Sequence, residues 1–280
     1  MNGLQIPNAL LGEDIDDLNI FFYLREKGPD QIKLKLHYTQ NMFCFMLKGV
    51  KEIINDRERF SMNDEQIGLV PSGNMLMNER VTLKKEFESL LLFFSNAYLS
   101  EFLAKFNVEL TDLPIDQSAI ITFPKDEYLL NFQRSMKLLE ENFSKKHFRL
   151  AKMEELLLYL LEKYPQKTKG FLALSIAKEK HFSLSQVVQS HKFKNLNTVE
   201  LAFLCNMSLS TFKRRFKELY KTSPKKYLIA ERMNKAKQLL KVNKRPSEIY
   251  FELGYENLSS FSNEFKKHFG IPPKAYQLQS

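Results

Sequence analysis

The sequence predicts an α+β chain. A strand-rich N-terminal domain, built as a β-barrel or sandwich with two or three helices, precedes an all-α domain in which two helix-turn-helix units share a spacer helix. Three observations carry this. Short apolar segments separated by turn signals run from about residue 32 to 94 and then stop. Beyond residue 170 the apolar spacing is helical to the end. The charge divides at the same place: residues 1–170 hold 22 Lys+Arg against 25 Asp+Glu, whereas residues 171–280 hold 20 against 8.

At 280 residues with 44% apolar side chains, the chain can bury two cores. Cys44 and Cys205 lie far apart, with neither a disulfide framework nor zinc-ligand spacing. No apolar run approaches the roughly 18 residues that span a bilayer, and the N-terminus turns acidic where a signal peptide is apolar. A cytoplasmic protein with no membrane segment is expected. The basic last 110 residues are suited to a polyanion, with nucleic acid the first candidate.

Within residues 1–164 the runs IKLKLHY, MFCFMLKGV, KEIIN, QIGLVP and LLLFF read as strands, separated by Asn55-Asp56, Asn63-Asp64 and Pro71-Ser72-Gly73-Asn74. Helical patterns follow at about 96–106, 125–143 and 149–164. The last is apolar nearly all round, from Met153 through Leu156-Leu157-Leu158-Tyr159-Leu160-Leu161, so it is either buried in its own domain or, with 125–143, a homodimer interface. Pro165-Gln166-Lys167-Thr168-Lys169-Gly170 has the composition of a linker, leaving 171–280 as the second domain.

That second domain contains a degenerate repeat. Glu200 to Phe216-Lys217 has a counterpart in Glu248 to Phe265-Lys266-Lys267, offset by 48 residues at Glu200 and 49 at Phe216. In the first unit Leu201, Leu204, Met207, Phe212 and Phe216 form a small core. Ala202 allows close helix crossing, Asn206 takes the left-handed turn position, and Ser208 caps the second helix. In the second, Ile249, Leu253, Tyr255, Phe261 and Phe265 are the core, with Gly254 in the turn and Asn257 as cap. The stretch from Pro224 to Leu240 reads as a spacer helix of about 25 Å. A helix-turn-helix places its second helix in the DNA major groove.

On these residues, 182–276 resemble the DNA-binding domain of the AraC/XylS family of bacterial transcription regulators. The pattern is Ala236-Lys237-Gln238-Leu239-Leu240, Ser247-Glu248-Ile249, Leu253-Gly254-Tyr255, Phe261, Phe265-Lys266-Lys267, Phe269-Gly270 and Pro273. The resemblance implies two recognition helices on one face of double-stranded DNA, and control of transcription by contact with RNA polymerase. The family's base-reading positions fall on Ser210, Thr211, Lys213, Arg214 and Lys217 in the first unit and on Ser259, Ser260, Ser262 and Asn263 in the second. Lys213 and Arg214 suit guanine edges. Arg215, Lys266 and Lys267 are expected at phosphates. Three positions depart from the family: Tyr250 replaces a small residue, Lys221 replaces the glycine that ends the first recognition helix, and Arg215 replaces an apolar one.

The strand-rich part resembles the cupin-like sensory barrel found fused to such domains. Among its strands Met42, Phe43, Phe45, Met46, Met75 and Met77 either line an apolar effector pocket or are plain core. Only His37 lies among the strands, so the metal site of a cupin enzyme is not expected, and no cofactor is. The cysteines likewise lack the cluster needed by DNA-repair alkyl acceptors. A sequence-specific regulator without enzymatic activity is therefore expected, and an activator rather than a repressor. Its N-terminal domain would answer to a small molecule or, as in the type III secretion activators that the 125–164 helices resemble, to a protein partner. An architectural DNA-binding protein is the alternative, and a separate near-neutral domain argues against it.

Overall fold

The computed structural model describes residues 3–12, 15–25, 31–80, 86–110, 120–142, 145–176 and 184–279. They form two compact units, residues 2–180 and 181–280.

The first unit runs β1 (Leu4–Ile6), α1 (Asn8–Leu11), β2 (Leu18–Arg25), β3 (Gln31–Tyr38), β4 (Asn41–Lys48), β5 (Val50–Ile54), β6 (Arg59–Met62), β7 (Gln66–Val70), β8 (Gly73–Arg80) and β9 (Phe87–Phe94). Then come α2 (Asn96–Lys105), β10 (Ile121–Pro124), α3 (Glu127–Leu138), a 3-10 turn at Glu140–Asn142, α4 (Lys146–Lys163) and α5 (Pro165–Ile176). The strands form two five-stranded sheets, β1-β3-β8-β5-β6 and β10-β7-β4-β9-β2, antiparallel except for the β1–β3 pair. Strands therefore extend beyond the expected 32–94 on both sides. β2, read as LNIFFYLR, lacks the alternation that marks a half-exposed strand, and β10 has only four residues.

The sheets face each other across a core that includes Leu36, Ile53, Met75 and Met77 from one and Met42, Cys44, Met46 and Phe93 from the other. The opposite face of the second sheet carries Phe43, Phe45, Ile67, Leu69, Leu90 and Leu92, covered by α2, α3, α4 and α5. β4 sits in the middle of that sheet and is buried on both faces. Its run from Met42 to Met46 consequently reads as continuously apolar. Tyr38 and Cys44 are enclosed between the sheets, and burial pushes the Cys44 thiol up.

The helical layer accounts for the wide apolar face of α4. Met153, Leu156, Leu157 and Leu160 are buried with Leu129, Phe132 and Met136 of α3 in the same core, while Leu158 stays 39% exposed. Asp126 caps α3 by accepting from the Leu129 N–H at 2.9 Å. Phe143, the expected end of α3, lies outside the described residues.

The expected linker at 165–170 is instead the first half of α5. Pro165 opens the helix at the position where its missing N–H is least costly. Thr168 Oγ1 donates to the carbonyls of Leu160 and Tyr164, each at 2.9 Å, and Thr168, Gly170, Phe171 and Leu172 are buried. The polar letters that suggested a linker are the helix's outer face, Gln166 and Lys167. The first unit thus extends past 164, to about residue 180.

The second unit is helical: α6 (Leu184–His191), α7 (Thr198–Leu204), α8 (Leu209–Tyr220), α9 (Pro224–Lys241), α10 (Pro246–Ile249), α11 (Leu258–Phe269) and α12 (Pro273–Gln279). α9 is the spacer, 18 residues or about 27 Å long, with Ser223 as cap and Pro224 in its first turn.

Leu157→Ala is expected to cost about 2–5 kcal/mol, because the side chain is wholly enclosed, whereas Leu158→Ala should cost under about 1 kcal/mol. Equilibrium urea unfolding of the two variants reads the difference, and equal costs would contradict the burial of α4.

Candidate nucleic-acid interface

The first helix-turn-helix begins with a reciprocal cap. Asn197 Oδ1 accepts from the N–H groups of Val199 and Glu200, each at 3.0 Å, and Glu200 Oε2 accepts from Asn197 N–H at 2.9 Å. The turn passes through Asn206 at φ +52, and Met207 N–H donates back to Ala202 carbonyl at 2.9 Å. Ser208 caps α8 through Thr211 N–H at 3.1 Å. Ala202, Leu201, Leu204, Phe212 and Phe216 are buried and Met207 is half-buried, as the spacing required.

The second unit repeats this with one shortened element. α10 holds four residues, and the chain turns through 250–254 to Gly254 at φ +78. Asn257 Oδ1 then caps α11 by accepting from Ser260 N–H at 2.8 Å. Ile249, Leu253, Phe261 and Phe265 are buried, with Tyr255 half-buried. Tyr250 is also half-buried and packs on this core, which accommodates the departure from a small residue.

Both second helices end alike. Lys221 closes α8 in the left-handed conformation at φ +54, its N–H reaching Lys217 carbonyl at 3.0 Å; Gly270 closes α11 at φ +82, reaching Lys266 carbonyl at 2.7 Å. Lys221 therefore holds a glycine's conformation with a side chain attached.

The expected DNA-facing residues sit on the outer sides of these helices. On α8, Ser210, Lys213, Arg214 and Lys217 are exposed along one stripe, Arg215 is exposed on its flank, and Thr211 is half-buried. The hydroxyls of Ser210 and Thr211 lie 3.0 and 2.8 Å from Ser208 Oγ, so both are engaged in the cap. Arg214 Nη1 bonds Glu218 Oε1 at 2.9 Å in an ion pair exposed on both sides. Such surface pairs contribute at most about 0.5 kcal/mol, so the guanidinium exchanges readily for another acceptor. On α11, Ser259, Ser260, Asn263, Lys266 and Lys267 are exposed and Ser262 is half-buried.

Behind each second helix stands an aromatic set that sequence reading did not extend to. Phe216 meets Tyr220 at 4.5 Å and Tyr227 of α9 edge-on at 5.6 Å; Phe265 meets Phe269 at 4.6 Å and Tyr276 of α12 edge-on at 5.6 Å. The 49-residue offset found at Phe216/Phe265 carries on to Tyr220/Phe269 and Tyr227/Tyr276, and that signal would have found them.

In the first unit of the chain, the six residues read as either a pocket lining or plain core are divided between two cores. Met42, Met46, Met75 and Met77 lie between the sheets, whereas Phe43 and Phe45 lie beneath the helices. Strand alternation puts neighbours on opposite faces, so a single pocket cannot contain all six. The interior also carries polar groups that sequence reading missed. Lys51 and Glu79 are cross-strand partners in β5 and β8 and both are buried, with Tyr23 Oη donating to Glu79 Oε2 at 3.3 Å. A shallow groove of about 510 Å³ opens elsewhere, between Phe106, Val108, Leu158, Leu161 and Pro165. Among the described residues no three His, Cys, Asp or Glu side chains gather as a metal site would need, and no helix is long and apolar enough to cross a membrane.

Residues 201–279 match the family described as a helix-turn-helix domain, and residues 41–174 match the ExsA N-terminal regulatory domain. The chain belongs to the AraC/XylS family of transcriptional regulators. Among its relatives, the virulence regulon transcriptional activator VirF of Yersinia enterocolitica is 24% identical over 257 residues, 87% of this chain and 91% of VirF. The regulator ExsA of Pseudomonas aeruginosa is 25% identical over 239 residues, 81% of this chain and 82% of ExsA. The probable regulator LumQ of Photobacterium leiognathi is 28% identical over 96 residues, 34% of this chain and 39% of LumQ, so the chain spans about two fifths of that relative. A crystal structure of apo ToxT from Vibrio cholerae superposes with a TM-score of 0.42 at 11% identity, covering 94% of this chain and 98% of ToxT. Double-stranded DNA is the partner that the family's helix-turn-helix domain binds.

Lys221→Gly is expected to stabilise the second unit by about 0.5–1 kcal/mol, since the left-handed strain removed exceeds the chain entropy gained on unfolding. A rise in Tm by calorimetry checks it, and an unchanged or lower Tm would show that the Lys221 side chain makes compensating contacts.

Proposed function

We propose that this protein is a sequence-specific DNA-binding activator of transcription that acts in the cytoplasm without catalysis, its first unit governing when its second binds. The observation that carries the reading is the pair α8 and α11: two helices capped alike, backed by matching aromatics, and exposing their polar faces from one compact basic unit. Lys213 and Arg214 read guanine edges in one half-site, with Ser210, Thr211 and Lys217 beside them. Ser259, Ser260, Ser262 and Asn263 face the other half-site with weaker discrimination. Arg215, Lys266 and Lys267 bind phosphates, which position the protein without selecting sequence. The names of VirF and ExsA, a virulence regulon transcriptional activator and a transcriptional regulator, support this reading.

Control through a protein partner is favoured over a small molecule. Met42, Met46, Met75 and Met77 pack into the core between the sheets with Ile53, Phe87 and Phe93, as core side chains do. A homodimer through 125–164 would rest on the apolar residues that α3 and α4 leave exposed, Leu130, Leu138 and Leu158.

Selecting bound duplexes from a random pool tests the DNA reading. Arg214→Ala should lose preference at one or two positions, by about 1–3 kcal/mol each, while Lys266→Ala should weaken all duplexes alike and lower the salt slope by about one. Uniform weakening by Arg214→Ala would move that residue to the phosphates. Native mass spectrometry of the full chain should give a mass free of small molecules; a retained ligand would overturn control by a protein partner, and a monomeric mass at micromolar concentration would overturn the dimer.

A further inference from the structure

The two helix-turn-helix units are joined by more than the spacer helix. Residues 192–196, between α6 and α7, form a strip of chain on which the second unit's turn sits. Gly254 lies so close that a Cβ there would come within 2.8 Å of the Phe193 carbonyl oxygen and 2.9 Å of the Lys194 carbonyl carbon. Asn195 Nδ2 donates to Glu256 Oε1 at 3.0 Å, and the Phe193 ring packs on the second unit's core. The same strip leads directly into Asn197, the cap of α7.

Arg232, midway along α9, grips this strip from the other side. Its Nε donates to the Lys192 carbonyl at 3.0 Å and its Nη2 to the Lys194 carbonyl at 2.6 Å. Its guanidinium carbon stands 5.8 Å from the centre of the Tyr255 ring, next to Gly254. The preceding residue, Glu231, pairs with Lys192 at 2.6 Å. One half-buried guanidinium therefore touches the lead-in to the first unit, belongs to the spacer, and lies against the turn of the second. Its planar fork points Nε and Nη2 in fixed directions at two separate carbonyls, a preorganised geometry that a lysine's single, freely rotating ammonium does not supply.

We propose that Arg232 is the positioning residue that sets the geometry between α8 and α11, and so the separation at which the two half-sites are read. It acts through the backbone it holds, and its role rests on the two-half-site reading given above. Two tethered reading heads add their affinities only where geometry lets both engage; loosening the joint lowers the effective concentration of the second once the first is bound. The loss should therefore be confined to the affinity that the second half-site contributes.

The test uses the full chain and three duplexes: the site selected from a random pool by the wild type, and the same site with either half scrambled. For Arg232→Met the affinity for the intact site should fall by about tenfold, while the affinity with the second half scrambled stays within about twofold of wild type. Arg232→Lys, which keeps the charge and stem, should show the same pattern with a smaller loss and remains informative should the methionine variant fail to fold. Sites selected afresh by the variants should show a broader spread of half-site separations. An equal loss on all three duplexes would make Arg232 merely structural, and an unchanged affinity for the intact site would remove it from positioning; either outcome overturns the proposal. A wild type indifferent to scrambling the second half would instead overturn the two-half-site reading itself.

Discussion

Each recognition helix depends on the aromatic wedge behind it. A helix of 12 residues is marginal alone in water, and the outward faces of α8 and α11 are polar apart from Leu219 and Leu258, so their buried inner stripes hold them. That stripe is a phenylalanine pair one turn apart, Phe212/Phe216 and Phe261/Phe265, with centroids 5.6 and 5.9 Å apart. An edge-on tyrosine from the following helix closes each pair, and the interplanar angle is 72° in both units. Such edge contacts add about 0.5–1.5 kcal/mol beyond the area they bury, and they also fix the roll of the helix about its own axis. The roll decides which side chains face outward, so the polar stripe of α8 is defined from behind.

Much of this was legible in the residues. Asn206, Gly254, Ser208 and Asn257 announced turns and caps because each has a backbone requirement that few residue types meet. The buried positions of both units followed from their helical spacing. What the sequence did not disclose is contact between segments distant along the chain. Nothing in Lys192 to Asn195 signals that its carbonyls meet Arg232, since every residue has a carbonyl. Glu218, by contrast, stands one helical turn from Arg214, a pairing that helical spacing alone allows.

The N-terminal domain was legible in class but not in layering. Its sandwich character showed in the short runs and turn signals, whereas the continuous apolar run from Met42 to Met46 does not show that the strand serves two cores. A central strand covered on both sides loses the alternation that tells inside from outside, so the periodicity that identifies a half-exposed strand says nothing about β4. Lys51 and Glu79 were passed over for a related reason. Each looks like a solvated charge in its own strand, and only the β5–β8 register brings them face to face inside.

Helix α5 changes how this molecule divides. Phe171 and Leu172 are wholly or almost wholly buried in the core of the first unit, and the Thr168 hydroxyl ties the start of α5 to the end of α4. A cut at residue 170, where the composition suggests a seam, would strip the sandwich of two of its core side chains. It would also leave those same apolar groups as a sticky overhang on the basic fragment. Natural exchange of regulatory halves between such proteins would meet the same obstacle, so recombination that preserves both partners has to cross beyond residue 176.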